Sequence, residues 1–290
     1  MASFVIITPA HNEEAFIGLT AKSMVAQSIR PLKWVVVNDA STDGTREIVE
    51  GYANQHSFIE LVNVNRAEGR HFGNKVRAFN AGFERVKDLD YDLIGNLDAD
   101  ISLDSAYFAN LLKRFAADSR LGLAGGMVHT SMNGQFVSQD VALDSVAGAV
   151  QLFRRECFAA IGGYRPMPGG GIDTAAEIAV RMYGWNTKTF PELPVREHRL
   201  TGTATASPLA ASVKLGIRMH SLGYSPSFFL LRCLYRIMQP PAVVGSGALL
   251  YGYVTSAVRG QPWAISPEAV RFLRKEQHGK LKRLLGLRAA

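Results

Sequence analysis

Asp98 and Asp100 stand one residue apart, directly after an apolar run that ends at Leu97. Two carboxylates this close repel each other unless something positive lies between them. A hard divalent ion such as Mg²⁺ is typically held by one or two carboxylates together with substrate phosphates. The pair therefore points to a metal-bound phosphate ester. The plainer reading is a polar loop with an Asp capping the helix near Ser105.

Two further polar loops follow apolar runs. Pro9-Ala10-His11-Asn12-Glu13 comes after residues 4–7, and Asn38-Asp39-Ala40-Ser41-Thr42-Asp43-Gly44-Thr45 comes after residues 34–37. In an open α/β sheet, ligands bind outside the carboxyl ends of the strands. If these runs are parallel strands, the three loops share one edge and converge on one ligand. Asp39 and Ser41 also suit helix N-caps, and both roles are compatible.

The elements that would position these loops alternate. Residues 4–7, 34–37, 59–64 and 91–97 read as strands buried on both faces, and 13–27, 45–53, 72–86 and 105–116 carry helical spacing. That order predicts a parallel sheet with crossover helices. Residues 121–128 add a strand. Past Gly134 the rhythm breaks into a short helix over 155–161, a Gly/Pro-rich run over 162–171, a helix from Asp173 to Gly184 and a short strand over 187–190. From Pro208 the chain is helical and apolar. The expected division is 1–205, with a nucleotide-binding half over 1–102 and an acceptor half over 103–205, followed by a helical extension over 206–290.

The three loops together, with Val37 before the second and Leu97-Asp98-Ala99-Asp100 as the third, resemble the family 2 inverting glycosyltransferases of the GT-A fold. The resemblance covers residues 3–200, and the first 100 are its specific part. It implies a mostly parallel α/β sheet flanked by helices, here with a helical C-terminal extension. It also implies Mg²⁺ or Mn²⁺ bridging the diphosphate of a nucleotide-sugar. Carried over by position, Pro9, Ala10 and Glu13 line the nucleoside pocket and Asp39 accepts hydrogen bonds from the base. Asp98 then lies near ribose and metal, and Asp100 ligates the metal.

Family members often close the segment after the third strand with Ala-Arg-Asn-X-Gly. This chain has Ala78-Phe79-Asn80-Ala81-Gly82, so Phe79 stands where the Arg is usual, and Arg70 or Lys75 is expected to replace it as a donor to base or phosphate. The resemblance also calls for a catalytic base on a Gly-rich loop before an Arg-bearing helix. Gly169-Gly170-Gly171-Ile172-Asp173 precedes such a helix, but Ile172 replaces the usual Glu, which leaves the base between Asp173 and Glu177. Asp173 is favoured because it opens the helix beside the glycine run, with N-capping as its alternative role. Glu177 is four residues from Arg181, on one helix face, and reads as its ion-pair partner. His198 is expected in the metal shell or against the diphosphate, with a purely structural role as the alternative. Arg199 is expected as a phosphate clamp.

Other chemistries fit less well. A nucleotidyltransferase-like enzyme wants a Gly-rich basic loop after the first strand, and a dehydrogenase wants Gly-X-Gly-X-X-Gly there; residues 9–14 are neither. An inactive membrane-docked scaffold would keep the fold, but Asp39, Asp98, Asp100 and Asp173 are all retained. The Gln-X-X-Arg-Trp signature of processive relatives is lacking, which favours addition of one sugar.

The charge distribution narrows the partners. The chain carries a net +7, and residues 259–290 alone hold eight basic against two acidic side chains. Charge gathered in a tail argues against nucleic acid and for an anionic membrane surface. Residues 237–258 carry no charge and meet the roughly 20-residue length of a bilayer span, but Pro240, Pro241, Gly245, Gly247 and Gly252 oppose spanning. Residues 228–236 mix Phe, Leu and Tyr with Arg, as interfacial helices do. The expectation is peripheral or monotopic attachment to the cytoplasmic leaflet, with a glycan or lipid-linked acceptor. The alternative is a helical subdomain that packs on the catalytic domain or at a homodimer interface. Cys157 and Cys233 fit no metal spacing and read as reduced thiols, and residues 3–8 do not form a secretory signal.

Overall fold

The computed structural model describes the chain apart from residues 1, 66–72, 133, 139–141, 168, 200–206, 238–241, 285 and 287–290. Two compact units emerge, one from residues 1–166 and 172–200, the other from 167–171 and 201–290.

The first unit begins β1 (Phe4–Ala10), α1 (Ile17–Val25), β2 (Lys33–Asp39), α2 (Thr45–Gln55), β3 (Ile59–Val64), α3 (Gly73–Phe83) and β4 (Leu93–Leu97). It continues through β5 (Ile101–Leu103), α4 (Tyr107–Ala117), β6 (Leu121–Met132), β7 (Gln135–Ser138), β8 (Val150–Arg154), α5 (Arg155–Ala160), α6 (Ile172–Met182) and β9 (Asn186–Glu197). The strands form one sheet in the order β3-β2-β1-β4-β8-β6-β9-β5, with β7 paired to β6. Pairing is parallel from β3 to β4 and again between β6 and β9, while β8, β5 and β7 run antiparallel to their neighbours.

Alternation along the central strands explains the layers. Phe4 and Ile6 of β1, with Trp34 and Val36 of β2, pack with Tyr107, Phe108, Leu111 and Phe115 of α4. Val5, Ile7, Val35 and Val37 face the other way, toward Val76 and Phe79 of α3 and Phe158 of α5. A sheet covered on both faces needs apolar side chains at every strand position, which is why these runs are continuous.

The second half of the sheet departs from the sequence expectation: β6 runs on to Met132, the short strands β5 and β7 are added, and two larger differences concern β9 and β8. The strand expected over 187–190 extends to Glu197. The register slips between Phe190 and Pro194, so the intervening residues, Pro191 among them, bulge and pairing with β6 resumes. The antiparallel β8 has no counterpart in the sequence expectation. It inserts between β4 and β6, and its segment, Val-Gln-Leu-Phe-Arg, lies against a short helix that blurs the period-2 signal.

The second unit comprises α7 (Pro208–Ser221), α8 (Pro226–Arg236), α9 (Ala242–Val258) and α10 (Pro267–Leu284). Ser207 and Ser225 cap α7 and α8, each followed by Pro at the first helical position. Helices α7 and α9 meet backbone to backbone. A Cβ at Gly216 would lie 2.1 Å from the Leu249 carbonyl oxygen, and one at Gly252 would lie 2.1 Å from that of Val213. Met219, Phe229, Cys233, Leu249 and Tyr253 form the small core. Among the described residues, no helix is long and apolar enough to cross a membrane.

Candidate active site

Strand direction brings the sequence-selected residues together. β1, β2 and β4 are parallel, so the loops that follow them leave the same edge. β6 is antiparallel to β8, which is antiparallel to β4, and β9 is parallel to β6. The end of β9, with His198 and Arg199 just beyond it, therefore reaches that edge too. β8 starts there, which brings the preceding residues 145–149 to the same place.

The first two loops brace each other. The Asn12 amide donates to Ser41 Oγ at 3.0 Å, and the Thr42 amide donates to Asn12 Oδ1 at 2.8 Å. The Glu13 amide donates to Thr45 Oγ1, and the Gly44 amide to a Glu14 carboxylate oxygen, both at 2.7 Å. Asn12 and Ala40 hold positive φ angles of 54° and 51°. Such angles are costly for a residue like Ala40 and cluster at functional sites. Pro9 and Ala10 lie in register with Val37 and Asn38. Asp39 is buried at the end of β2, and its carbonyl oxygen lies 2.7 Å from His11 Nδ1.

At the end of β4 the acids are held in a frame of hydrogen bonds. The Asp98 amide donates to the Ala149 carbonyl at 2.9 Å. Asp98 Oδ1 accepts from Lys75 Nζ at 2.6 Å and from Asn96 Nδ2 at 3.1 Å. Desolvation alone would lower the Lys75 pKa; the carboxylates of Asp98, Asp173 and Asp100 outweigh it and raise it. Burial, then Asp98 and Glu197, push the Asp100 carboxyl up to about 6 against the pull of Arg199. Glu13 is pushed up to about 7, by burial first and by Asp100 and Asp98, again against Arg199. Arg199 links these acids. Its guanidinium sits 2.5 Å from a Glu13 carboxylate oxygen and 3.6 Å from Asp100 Oδ2, over the Phe16 ring. Its buried Nε has no hydrogen-bond partner among the described residues.

The two candidate bases on α6 occupy different surroundings. Asp173 lies in the first turn against Gly148, where a Cβ would come within 2.9 Å of Asp173 Oδ2, and its charge is felt at Lys75. Glu177 is buried and already engaged. It accepts from the Val146 amide at 2.7 Å and from the Ser145 hydroxyl at 3.0 Å, with Arg181 at 3.6 Å. Burial pushes its carboxyl up to about 7. His198 is also engaged, with Nε2 2.8 Å from Ser102 Oγ and the ring set between Phe16 and Phe136. Burial and then Arg196 lower its pKa. Arg70 lies outside the described residues.

Sequence reasoning overlooked Asn96, Gly148 and Glu197. Asn96 had a readable signal, a polar side chain in a strand otherwise made of apolar residues and Gly, two residues before Asp98. Gly148 and Glu197 had none, because their roles arise only from packing.

The donor set suits a hard cation in part. Among the described residues, no group of three or more His, Cys, Asp and Glu side chains is poised to hold a metal ion alone. Asp98 and Asp100 repel each other and could supply oxygen ligands, and Mg²⁺-type ions draw their remaining ligands from substrate phosphates and water. The two acids therefore fit an ion that arrives with a diphosphate.

Residues 5–164 match the family described as Glycosyl transferase family 2. The chain belongs to that family. Among curated relatives, it is 26% identical over 235 residues to the probable glycosyltransferase YdaM of Bacillus subtilis, covering 77% of this chain and 48% of that one. It is 25% identical over 126 residues to poly-beta-1,6-N-acetyl-D-glucosamine synthase of Staphylococcus aureus, covering 43% of this chain and 28% of that one. The chain thus spans half or less of the length of these relatives. The fold matches the mannosyltransferase PcManGT of Pyrobaculum calidifontis, solved with GDP-Man and Mn²⁺, at a TM-score of 0.58 and 20% identity, covering 97% of this chain and 81% of that one. It also matches TarS of S. aureus, solved with UDP-GlcNAc, at 0.57 and 14% identity, with the same coverage. The architecture is the GT-A fold, a largely parallel α/β sheet flanked by helices, with helices at the C-terminal end.

Proposed function

We propose that this family member transfers one sugar from a UDP- or GDP-sugar to a hydroxyl acceptor, with inversion at the anomeric carbon. One observation carries the reading: at one sheet edge Lys75 is bonded to Asp98, Asp173 lies against Gly148 beside the Ala149 carbonyl that takes the Asp98 amide, and Arg199 links Asp100 to Glu13. Pro9, Ala10, Glu13 and Asp39 would line the nucleoside pocket, and Arg70 would donate to base or phosphate. Lys75, already bonded to Asp98, would reach the diphosphate rather than the base. Arg199 would turn its guanidinium toward the phosphates, for which its planar fork is suited.

Asp98 and Asp100 would hold Mg²⁺ or Mn²⁺, which when bound neutralises charge on the departing nucleoside diphosphate. His198 could join the shell through Nε2 only by giving up its contact with Ser102. Asp173 would take the acceptor hydroxyl proton as general base. Such a group must lie within hydrogen-bond reach of the acceptor, and Asp173 lies against Gly148, where any side chain would crowd its carboxylate. Glu177, with its lone pairs already engaged, is the weaker candidate.

The acceptor is proposed to be a glycan or lipid-linked molecule at the cytoplasmic face of a membrane. The outward face of α9 supports this: Val243, Val244, Leu250, Tyr251, Val254 and Val258 are all exposed. Leu230, Leu231, Leu234 and Tyr235 of α8 are exposed as well, beside Arg232. Apolar faces flanked by basic residues suit the lipid interface. A homodimer through the same faces is the competing arrangement. Flotation with phosphatidylglycerol vesicles, read against Leu250→Glu and Val254→Glu, separates the two; a dimer that ignores vesicles would overturn the membrane reading.

The main test is thermal stabilisation by UDP- and GDP-sugars with Mn²⁺, since a ligand that binds only the native state raises apparent stability. Stabilisation and turnover should vanish in the Asp98→Ala, Asp100→Ala double variant. A double variant that still turns over a sugar donor would overturn the assignment.

A further inference from the structure

Residues 144–149, just before β8, touch both the acid at the end of β4 and the carboxylate at the start of α6. They are fastened along their length. Thr187 and Thr189 of β9 donate hydroxyl hydrogen bonds to the carbonyls of Asp144 and Ser145, at 2.6 and 2.5 Å. Glu177 accepts from the Ser145 hydroxyl and the Val146 amide. The Val146 carbonyl accepts from Gln151 Nε2 at 3.0 Å, and Gln151 Oε1 in turn accepts from the buried Tyr164 hydroxyl at 2.6 Å. At the far end, Asn96 Nδ2 is shared between the Gly148 carbonyl, at 2.8 Å, and Asp98 Oδ1. The Asp98 amide reaches the Ala149 carbonyl. Gly148 itself presses on the Asp173 carboxylate so closely that a Cβ would meet Oδ2, Cβ and Cγ of Asp173 at 2.9 to 3.1 Å.

We propose that this strap is the gauge that sets the distance between the metal-binding acid and the general base, with Glu177, Asn96 and Gly148 as positioning residues. The inference rests on the assignment of Asp98 and Asp173 made above. It gives separate jobs to the two carboxylates of α6. Asp173 and Glu177 are four residues apart, so both face the strap from successive turns. Glu177 ties α6 to Ser145 and Val146, while Asp173 lies against Gly148 three and two residues further on. Asn96 then carries the same reference across to Asp98. Inversion by one displacement needs the base on the face of the sugar opposite the leaving diphosphate. A misplacement of about 1 Å can cost on the order of 100-fold in rate, so a fixed spacing between the two acids has a direct kinetic consequence.

The experiment compares full-length wild type with Gly148→Ala, Glu177→Ala and Glu177→Gln, using the sugar donor identified by the thermal screen. It measures kcat, donor KM and, by calorimetry, Mn²⁺-dependent affinity for the matching nucleoside diphosphate. Gly148→Ala should lose on the order of 100-fold in kcat, with diphosphate affinity close to that of wild type. Glu177→Ala should behave similarly, and Glu177→Gln, which can still accept from the Val146 amide, should recover most of the loss. If Glu177→Ala does not fold, Gly148→Ala alone carries the test. The proposal is overturned if Gly148→Ala turns over like wild type, if kcat and diphosphate affinity fall together, or if Glu177→Gln is as slow as Glu177→Ala. Wild type that binds the diphosphate yet transfers no sugar would instead refute the transferase reading, and the strap's role with it.

Discussion

Glu177 offers a test of the electrostatics that needs no substrate. Its carboxyl is buried among the Val146 amide, the Ser145 hydroxyl, Arg181 and the neighbouring charge of Asp173. Burial wins, and the pKa rises from 4.5 to about 7. Below pH 4.5 the folded and unfolded chains are both protonated at this site. Between 4.5 and 7 the folded protein keeps a proton that the unfolded chain has released, so stability falls as pH rises across that window and levels off above it. At 1.36 kcal/mol per unit, the shift corresponds to roughly 3 kcal/mol. Glu177→Gln has no proton to lose there and should escape this drop. Urea denaturation at pH 5, 6, 7 and 8 would follow it, in a Trp263→Phe background where buried Trp34 and partly buried Trp185 report on the first unit. Glu13 and Asp100 titrate in the same range in both proteins, so the difference between the two curves isolates Glu177. The variant should gain on its parent by roughly 2–3 kcal/mol between pH 5 and pH 8, since part of the drop has already occurred below pH 5. Curves that stay parallel would mean that Arg181 and the Val146 amide hold the carboxylate ionised throughout, and the burial argument would fail.

Arg199→Ala should lower the thermal midpoint more at pH 8 than at pH 5, because Glu13 and Asp100, raised to about 7 and about 6, take up protons and stop repelling as the pH falls. Differential scanning fluorimetry at the two pH values reads this directly. Gly252→Ala places a Cβ on the Val213 carbonyl oxygen and should force α7 and α9 apart at a cost of about 1–3 kcal/mol, the range for overpacking. Trp263 fluorescence in a Trp34→Phe, Trp185→Phe background follows the second unit alone. Tyr107→Phe strands the Gly126 amide, which donates to the Tyr107 hydroxyl at 2.9 Å in the core, and should cost about 1–3 kcal/mol by urea denaturation.

The first hundred residues were readable because a parallel sheet buried on both faces writes itself as unbroken apolar runs. Each run ends in a polar loop on a known edge. Asp39, Asp98 and Asp100 thus stand out, at one edge, from the pattern of runs and loops alone. The second half was less legible. Its antiparallel strand β8 is short, β9 carries two prolines, and the bulge that absorbs them is a property of the pair β6–β9 rather than of either segment.

The limit was sharper at the site. Arg199 was recognised as a cation suited to phosphate, but its partner Glu13 lies 186 residues away in sequence, and no local pattern joins them. The choice between Asp173 and Glu177 shows the same limit. Both are acids on one helix face near an Arg, and the sequence separates them only by the place of Asp173 beside the glycine run and of Glu177 four residues before Arg181. What distinguishes them is what lies opposite: a strap amide and hydroxyl for Glu177, and a glycine that leaves no room for a side chain for Asp173. A carboxylate whose lone pairs are occupied by structural donors is poorly placed to accept a proton from substrate. Residue type and spacing narrow the base to two carboxylates, and the hydrogen bonds that engage Glu177 support the proposal of Asp173.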